Sequence, residues 1–198
     1  CHVLPVVRTL QDTWPETRIT WIIGTLEHKL LGHLPGIEFV VFDKKAGAAA
    51  YRKLRERLSG RRFDALLHMQ LAIRASLVAA MVPARVKVGF DRARARELQW
   101  LFTNRQVEAR SREHVLDSLF GFAERLGVTT RSMRWDIPLP DSALAYANGA
   151  IPDPAKPTLV LSPCSSHELR NWSVARYAAL ADHAVQHHGM DVLLCGGR

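Results

Sequence analysis

The stretch RITWIIGTLEHKLLGHLPGIEFVVFD (residues 18–43) decides the fold. It begins and ends with apolar, β-rich runs at 18–24 and 37–43, and the segment 25–34 between them has apolar residues at helical spacing. Strand, helix and strand in this order favour parallel pairing, because a parallel connection needs an intervening element that crosses over the sheet. The stretch therefore predicts one unit of an α/β domain.

The same alternation continues after this stretch. A basic amphipathic helix through Arg57 comes next, and strands and helices then alternate at 63–69, 72–81, 85–90 and 112–127. This pattern predicts an open parallel sheet with helices on both faces.

A proline-dense segment, WDIPLPDSALAYANGAIPDPAKP (135–157), interrupts the pattern. Its five prolines in 23 residues break regular structure and predict a connection between domains around a short helix. The alternation then restarts with TLVLS, a helix at 173–188 and a strand at 190–197. The predicted fold class is α/β with two parallel-sheet domains, an N-terminal one at 1–152 and the start of a second at 153–198.

Both domains are expected to be incomplete. HVLPVVRTLQDTW opens as a helix with no leading strand before it, and the second domain stops after one strand-helix-strand unit. Two parallel strands cannot bury both faces of a sheet, so the chain is interpreted as the middle of a longer protein. The first residue is Cys1 rather than Met, and a truncated start is favoured over a lipid-modified cysteine because no polar linker follows.

The composition is that of a soluble globular protein. Of the 198 residues 47% are apolar and 23% charged, and no apolar run reaches the roughly 18 to 20 residues of a membrane span. Three scattered cysteines fit neither a disulfide framework nor a zinc site, which favours a reducing compartment. His114, His187 and His188 have no partners at metal-ligand spacing, so no metal is expected.

The net charge of +8 favours an anionic partner, which could be nucleic acid, a membrane surface or a phosphorylated substrate. Basic residues concentrate at 44–62 and 85–98, with a solvated helix face as the alternative interpretation of the first cluster. Nucleic acid is disfavoured, because aromatic residues do not alternate with the basic ones and no helix-turn-helix, zinc-finger or RNA-recognition signature is present.

Several segments together resemble one enzyme family, the lipopolysaccharide heptosyltransferases of glycosyltransferase family 9. They are spread in order over the chain: CHVLPVVRTL, FDALLHMQLAIRASLV, LFTNRQ with REHV, and SPCSSHELRNWSVARYAAL with VLLCGG. The resemblance implies a GT-B-like architecture, in which two Rossmann-like domains face a cleft and bind the acceptor on the N-terminal domain and the nucleotide-sugar on the C-terminal one. It also implies transfer of heptose from ADP-heptose to the inner core of lipopolysaccharide.

The segment SSHELRNW (165–172) resembles the donor loop of this family. The resemblance implies that Ser165 and Ser166 donate hydrogen bonds to the diphosphate at a helix N-terminus. Arg170 stands where the family has Lys, and its guanidinium can hold two phosphate oxygens at once. The alternative is plain helix capping by the serines, with Ser173 a further candidate for that role.

Further binding positions follow from the resemblance. Gly196 and Gly197 match the glycine pair of the donor domain. On the acceptor side, Gln70 and Arg74 match a Gln and a cation between a strand and a helix, where a cation suits acceptor carboxylates and phosphates. His68 and Leu71 depart from a common Asp and Gly, which leaves the identity of the acceptor open.

Three more residues complete the acceptor prediction. His2, in CHVLP, matches a position in the first strand-to-helix turn of the family, and Arg105 and Arg61 match basic positions. A surface salt bridge is the alternative for both arginines. The Asp that acts as general base in the family would fall just before Cys1, so the chain as given is expected to lack catalysis.

The working prediction is an inverting, metal-independent glycosyltransferase without a cofactor, using ADP-heptose and an anionic lipopolysaccharide core acceptor. It would act in the cytoplasm, peripheral to the inner face of the inner membrane. Two alternatives stay open: another nucleotide-sugar donor such as a UDP-sugar, or a non-catalytic α/β protein that binds anions or a membrane surface.

Overall fold

The computed structural model describes residues 1–151, 153–165 and 167–196. The chain divides into two compact units, Cys1–Pro138 and Leu139–Arg198, so the short helix of the proline-dense segment is grouped with the second unit. Within the described part of the chain, none of the helices has the length and apolar character that spanning a bilayer would demand.

The first unit alternates helices and strands as the sequence predicts. Its elements are α1 (Leu4–Thr13), β1 (Ile19–Gly24), α2 (Thr25–Leu31), β2 (Ile37–Phe42), α3 (Ala48–Leu58), β3 (Phe63–Leu67), α4 (Ile73–Met81), β4 (Ala84–Gly89), β5 (Arg105–Gln106) and α5 (Val115–Arg125). The second unit contains α6 (Asp141–Ala150), β6 (Thr158–Leu161), α7 (Val174–His188) and β7 (Asp191–Leu194).

Every strand pairing is parallel. In the first unit β1 pairs with β2, from Ile19 opposite Ile37 to Gly24 opposite Phe42, and β4 lies between β3 and β5. In the second unit β6 pairs with β7. The predicted fold class, α/β with parallel strands, is confirmed, although the strands of the first unit form two separate ladders rather than one sheet.

The largest core of the first unit joins α1 and α5 to the strands. Val6 of α1, Val88 of β4, and Phe120 and Phe122 of α5 are almost completely buried there. The rings of Phe122 and Phe90 meet edge to face, with centroids 4.9 Å apart. Because a buried Phe contributes several kcal/mol, a Phe122→Ala substitution should cost about 3 to 5 kcal/mol of stability.

A second core cluster places α3 and α4 against β2. It contains Val40 of β2, Leu54 and Leu58 of α3, and Val82 after α4. The cations of α3 lie on its exposed side, so this part of the first basic cluster is a solvated helix face. Their positions are Arg52, Lys53, Arg55 and Arg57.

Two features of the chain differ from the prediction. The helix expected from residue 112 begins at Val115, because Arg112 has a φ of +54° and the ring of His114 caps the helix by accepting a hydrogen bond from the Leu116 N–H. The two-residue strand β5 was not predicted. The predicted stop at Gly127 is confirmed, since its φ of +97° is a conformation that favours glycine.

Candidate functional site

In the second unit, the predicted donor residues Ser165, Arg170 and Gly196 lie in the segments that follow the ends of the parallel strands. The loop 162–173 follows β6, and Gly196 follows β7. The Cys195 N–H donates to the Leu161 carbonyl at 2.8 Å, and a Cβ placed on Gly196 would lie 3.6 Å from Cys164 Sγ. Gly196 is therefore adjacent to the loop, as a shared ligand-binding edge requires.

The loop is closed by hydrogen bonds of its own. The Ser165 N–H donates to the Asn171 side-chain oxygen at 2.7 Å, and the Arg170 N–H donates to the His167 carbonyl at 3.0 Å. The Ser165 hydroxyl accepts a 3.5 Å hydrogen bond from the His167 N–H. The side chains of Ser165 and Arg170 are both exposed to solvent, so a hydroxyl and a guanidinium are accessible on this loop.

Helix α7 begins directly after the loop, and Ser173 is its cap. The Ser173 hydroxyl accepts a hydrogen bond from the Arg176 N–H at 3.4 Å, which confirms the capping role foreseen for this residue. No acidic residue stands in the first turn of α7, so the positive end of the helix dipole is not neutralised there. Such a helix start favours an anion beside the loop.

Two of the predicted donor residues, Ser166 and Gly197, lie outside the described residues. Trp172 is partly exposed, and its ring meets the ring of Tyr177 edge to face at 5.4 Å. The tryptophan therefore packs on α7. Asn171 was not predicted as a functional residue, although its place between Arg170 and Trp172 in the loop is a local signal that could have drawn attention to it.

In the first unit, Gln70 and Arg74 are exposed at the edge where β3 ends and α4 begins. His2 precedes α1, which runs into β1, and this places His2 at the carboxyl edge of the β1–β2 ladder. The rings of His2 and His114 stack with centroids 6.4 Å apart and planes inclined by 14°. His114 starts α5, so the beginnings of α1 and α5 meet at this point.

A buried amide fixes the end of β3. Gln99 is completely buried, and its side-chain nitrogen donates to the carbonyls of His68 at 3.0 Å and Gln70 at 2.6 Å. Its side-chain oxygen accepts from the Phe90 N–H at 3.0 Å. Sequence reasoning missed Gln99, because one polar residue in the apolar run QWLF does not reveal whether it is buried.

His68 is also buried, and it contacts the first helix turn after the edge. One ring nitrogen lies 3.0 Å from the hydroxyl of Ser76, which is itself completely buried in α4. Burial lowers the pKa of His68 to about 4, because the charged imidazolium loses its solvation. His68 is therefore neutral at physiological pH, unlike the Asp that the family resemblance would place there.

Arg105 and Arg61 lie elsewhere in the first unit. Arg105 is on the edge strand β5, where it lines an open depression of about 470 Å³ with Arg85, Val86 and Asn104. Arg61 precedes β3 at the opposite, amino end of the strands, and its guanidinium binds Glu38 at 2.6 Å and the Thr20 hydroxyl at 2.9 Å. Arg61 thus forms the surface ion pair that was its alternative interpretation, and the fold does not bring it to Gln70 and Arg74.

The two edges offer cations, hydroxyls and a helix N-terminus, which suit phosphate and carboxylate ligands. Among the described residues, no group of three His, Cys, Asp or Glu side chains is placed to hold a metal ion. Metal independence of the reaction stays a prediction.

Comparison with known proteins supports one family. The model of glycosyltransferase family 9 (heptosyltransferase) matches residues 51–198. The chain is 38% identical over 195 residues to the lipopolysaccharide core heptosyltransferase OpsX of Haemophilus influenzae, a match that covers 98% of this chain and 56% of that protein.

Solved structures show the same fold. A glycosyl transferase family 9 protein from Veillonella parvula matches 99% of this chain and 58% of its own length, with a TM-score of 0.77 and 21% identity. The Escherichia coli heptosyltransferase WaaC with ADP-2-deoxy-2-fluoro heptose matches all of this chain and 65% of its own length, with a TM-score of 0.74 and 19% identity. These likenesses confirm the predicted GT-B-like fold class, and the chain spans between a half and two thirds of the length of the relatives it matches.

Proposed function

The chain belongs to glycosyltransferase family 9, the heptosyltransferase family, and on that basis we propose that the whole protein transfers a heptose from ADP-heptose to the inner core of lipopolysaccharide. The observation that carries the proposal is the match of the family model across residues 51–198, which includes the loop with its exposed Ser165 and Arg170.

The donor half of the proposal rests on the second unit. The loop 162–173 presents a hydroxyl and a guanidinium in front of a helix N-terminus, and the three features together match the charge of a diphosphate. The Escherichia coli relative was solved with an ADP-heptose analogue, which supports ADP-heptose over other nucleotide-sugars. Arg170 would hold two phosphate oxygens, and Ser165 would donate its hydroxyl hydrogen to a third.

The proposed reaction inverts the anomeric carbon by direct displacement and uses no metal ion. In such a reaction the leaving diphosphate gains negative charge in the transition state, so cations and N–H groups aimed at it lower the barrier. Arg170 and the start of α7 would supply this stabilisation. A carboxylate general base before Cys1, which would take the proton of the attacking hydroxyl, remains an expectation from the family resemblance.

The acceptor half rests on the first unit. Gln70 follows the end of β3, where the buried Gln99 holds the main chain in place, and Arg74 lies in the first turn of α4. Arg74 would pair with a carboxylate or phosphate of the lipopolysaccharide core, and Gln70 would bind a sugar hydroxyl. His2 and Arg105 extend the proposed acceptor-binding residues, and Arg61 remains in the set only if its ion pair with Glu38 opens.

We further propose that the protein works at the cytoplasmic face of the inner membrane, where its acceptor would be anchored. The net charge of +8 fits this location, because each Lys or Arg near an anionic leaflet contributes about 1 kcal/mol of attraction.

Calorimetry with ADP and the full-length protein tests the donor assignment. Removing a charge-assisted hydrogen-bond donor should weaken ADP binding about tenfold to a hundredfold in Arg170→Ala, and less in Arg170→Lys, which keeps the charge. Arg52→Ala is the matched control, since it removes another exposed arginine, one that lies on α3. Unchanged ADP affinity in Arg170→Ala would show that the loop assignment is wrong.

Two comparisons test the rest of the proposal. Tighter binding of UDP than of ADP would replace the proposed donor with another nucleotide-sugar. A transfer assay with ADP-heptose and a lipopolysaccharide core acceptor should give product with the full-length protein and with no added metal. Binding of the anionic acceptor without any transfer would favour the non-catalytic alternative.

A further inference from the structure

An exposed apolar surface lies beside the predicted acceptor residues of the first unit. It is formed by Ile73 and Leu77 of α4, by Leu101 of the neighbouring Gln99–Phe102 turn and by Leu98, which directly precedes that turn, and each of the four side chains is 44 to 59% exposed. We call these four residues the α4 apolar surface. Large apolar side chains gathered on a surface indicate an interaction site rather than ordinary surface scatter.

Two observations place α4 next to the turn that carries the leucines. Ile73 and Leu77 are one helical turn apart, on the same stripe of α4 as Ala80. The Ile73 N–H donates to the carboxylate of Glu97 at one end of the stripe, and Leu101 lines a depression with Ala80 at the other end.

The turn that carries the leucines has an unusual backbone conformation and is bonded to the interior. Glu97 and Leu98 both have left-handed backbone, with φ of +50° and +58°, a conformation rarely adopted by leucine. Such a conformation costs energy and persists where the surrounding structure imposes it. Here the completely buried side chain of Gln99 is hydrogen-bonded to the main chain just after β3 and β4. The exposed Leu98 and Leu101 therefore lie on either side of a residue that is fixed by hydrogen bonds.

Cations stand close to the apolar side chains along the chain, next to Ile73 and before Leu98. Arg74, Arg92 and Arg96 are exposed, and within the described ranges none of them has a carboxylate within 4 Å. The Arg92 guanidinium lies 4.4 Å from the ring centroid of Trp100, which leaves its edges open to an anion. Of the acidic residues nearby, Glu97 accepts a hydrogen bond from the Ile73 N–H, and the buried Asp91 pairs with Arg94.

Apolar side chains bordered by arginines match the chemistry of a lipid–water interface. The apolar groups enter the boundary between headgroups and acyl chains, and the guanidinium groups pair with phosphates. A second copy of the chain fits the surface less well, because pairing it with itself would bring like charges together. We propose that the α4 apolar surface docks the protein onto an anionic bilayer. The inference rests on the proposed function in one respect, since docking there would place Gln70 and Arg74 at the level of a membrane-anchored acceptor.

Vesicle sedimentation of the full-length protein tests this proposal. The probes are vesicles of phosphatidylethanolamine with about 30% phosphatidylglycerol, compared with pure phosphatidylcholine at the same lipid concentration. The test variant is Leu98→Asn with Leu101→Gln, in which Asn tolerates the left-handed backbone and both sites are exposed, so folding is preserved. The matched control is Leu26→Gln with Leu30→Gln, which removes two similarly exposed leucines from α2.

The wild type and the control should bind the anionic vesicles equally, and the test variant should bind about tenfold more weakly because it loses two apolar insertions. Arg92→Gln with Arg96→Gln should reduce binding to anionic vesicles and leave the low binding to phosphatidylcholine unchanged.

Three results would overturn the proposal: no binding of the wild type to anionic vesicles, equal binding of wild type and test variant, or a wild-type dimer in solution that the test variant abolishes. The last result would make this surface a contact between copies of the protein. Vesicle binding needs no donor, so it is independent of the ADP calorimetry. A protein that fails to bind ADP but docks through these leucines would refute the proposed function and retain this inference.

Discussion

The side-chain nitrogen of Gln99 lies 2.6 Å from the main-chain oxygen of Gln70 and donates a hydrogen bond to it. The same nitrogen also donates a hydrogen bond to the carbonyl of His68. One buried amide therefore fixes the main chain where β3 ends and the predicted acceptor residues begin. The main chain of Gln70 is thus fixed by a buried residue, although its side chain is exposed.

Gln99→Ala should lower the free energy of unfolding of the first unit by about 2 to 4 kcal/mol, because three main-chain groups lose their partner and two of them, the His68 carbonyl and the Phe90 N–H, are buried. Urea denaturation followed by tryptophan fluorescence measures the change. Gln186→Ala, an exposed site on α7, should have an effect below about 0.5 kcal/mol. A similar small loss in Gln99→Ala would contradict the role of the amide.

His68 should make the stability of the protein depend on pH. Its pKa is about 4 in the folded protein and 6.5 in an ordinary environment, so the unfolded chain takes up the proton first as the pH falls. The contribution of neutral His68 to the free energy of unfolding is therefore intact above pH 6.5. It is lost progressively as the pH falls to 4, by about 3 kcal/mol at most.

His68→Asn should remove this part of the pH dependence between pH 6.5 and 4, whatever its effect on stability at neutral pH. The exposed His33 provides the control, since His33→Asn should leave the pH profile as it is in the wild type. Equal slopes for the wild type and His68→Asn in urea titrations over this range would show that His68 is not a neutral buried group.

Asn171 offers a test of whether an anion binds at the loop of the second unit. In Asn171→Asp the side chain can still accept the Ser165 N–H, but a negative charge now stands beside the proposed diphosphate. ADP affinity should fall about tenfold or more through like-charge repulsion, and less in Asn171→Ala.

Asn148→Asp controls for the change in net charge, because Asn148 is exposed on α6. Calorimetry with ADP on the full-length variants gives the three affinities. If Asn171→Asp and Asn148→Asp bind ADP alike, the diphosphate lies elsewhere.

Arg94 anchors the segment between β4 and α5 from within an ion-pair network. Its guanidinium forms ion pairs with Asp91 and Glu113 and donates a hydrogen bond to the Ser118 hydroxyl. The carboxylates of Asp91 and Glu113 are more than nine-tenths buried. Arg94→Met should cost about 3 to 5 kcal/mol, because it leaves the buried Asp91 carboxylate without its cation and Glu113 with Arg110 alone, at 3.5 Å.

Thermal unfolding compares this variant with Arg125→Ala, which removes an exposed arginine from α5. Arg125→Ala should change the free energy of unfolding by less than about 0.5 kcal/mol. A loss of that small size in Arg94→Met would mean that the network adds nothing to stability.

The sequence predicts the elements that have a local, periodic pattern. The unit β1, α2 and β2 occurs where the apolar runs predict it, and Ser173 caps α7 as its place before the helix suggests. The exposure of Ser165 and Arg170 agrees with the donor loop prediction, and their contact with a ligand stays a prediction.

The features that the sequence does not predict depend on partners far along the chain. Gln99 bonds to His68 across 31 residues, and Arg61 pairs with Glu38 across 23 residues. The strand β5 is two residues long, too short for any period, and owes its existence to β4 beside it. The left-handed backbone at Leu98 could not be predicted from the sequence, because the residue is neither Gly nor Asn, the types that usually indicate it.

Because the strands pair in parallel, the sequences of the connecting segments can change in evolution more freely than those of the strands. A helix connects the two strands of every pair except β4 and β5, and the segments after β3, β6 and β7 carry the candidate residues without contributing to the ladders. Substitutions in these loops can accumulate over evolution while the packed interior stays the same. Related proteins could therefore acquire new ligand specificities by exchanging residues of these segments, with no redesign of the scaffold.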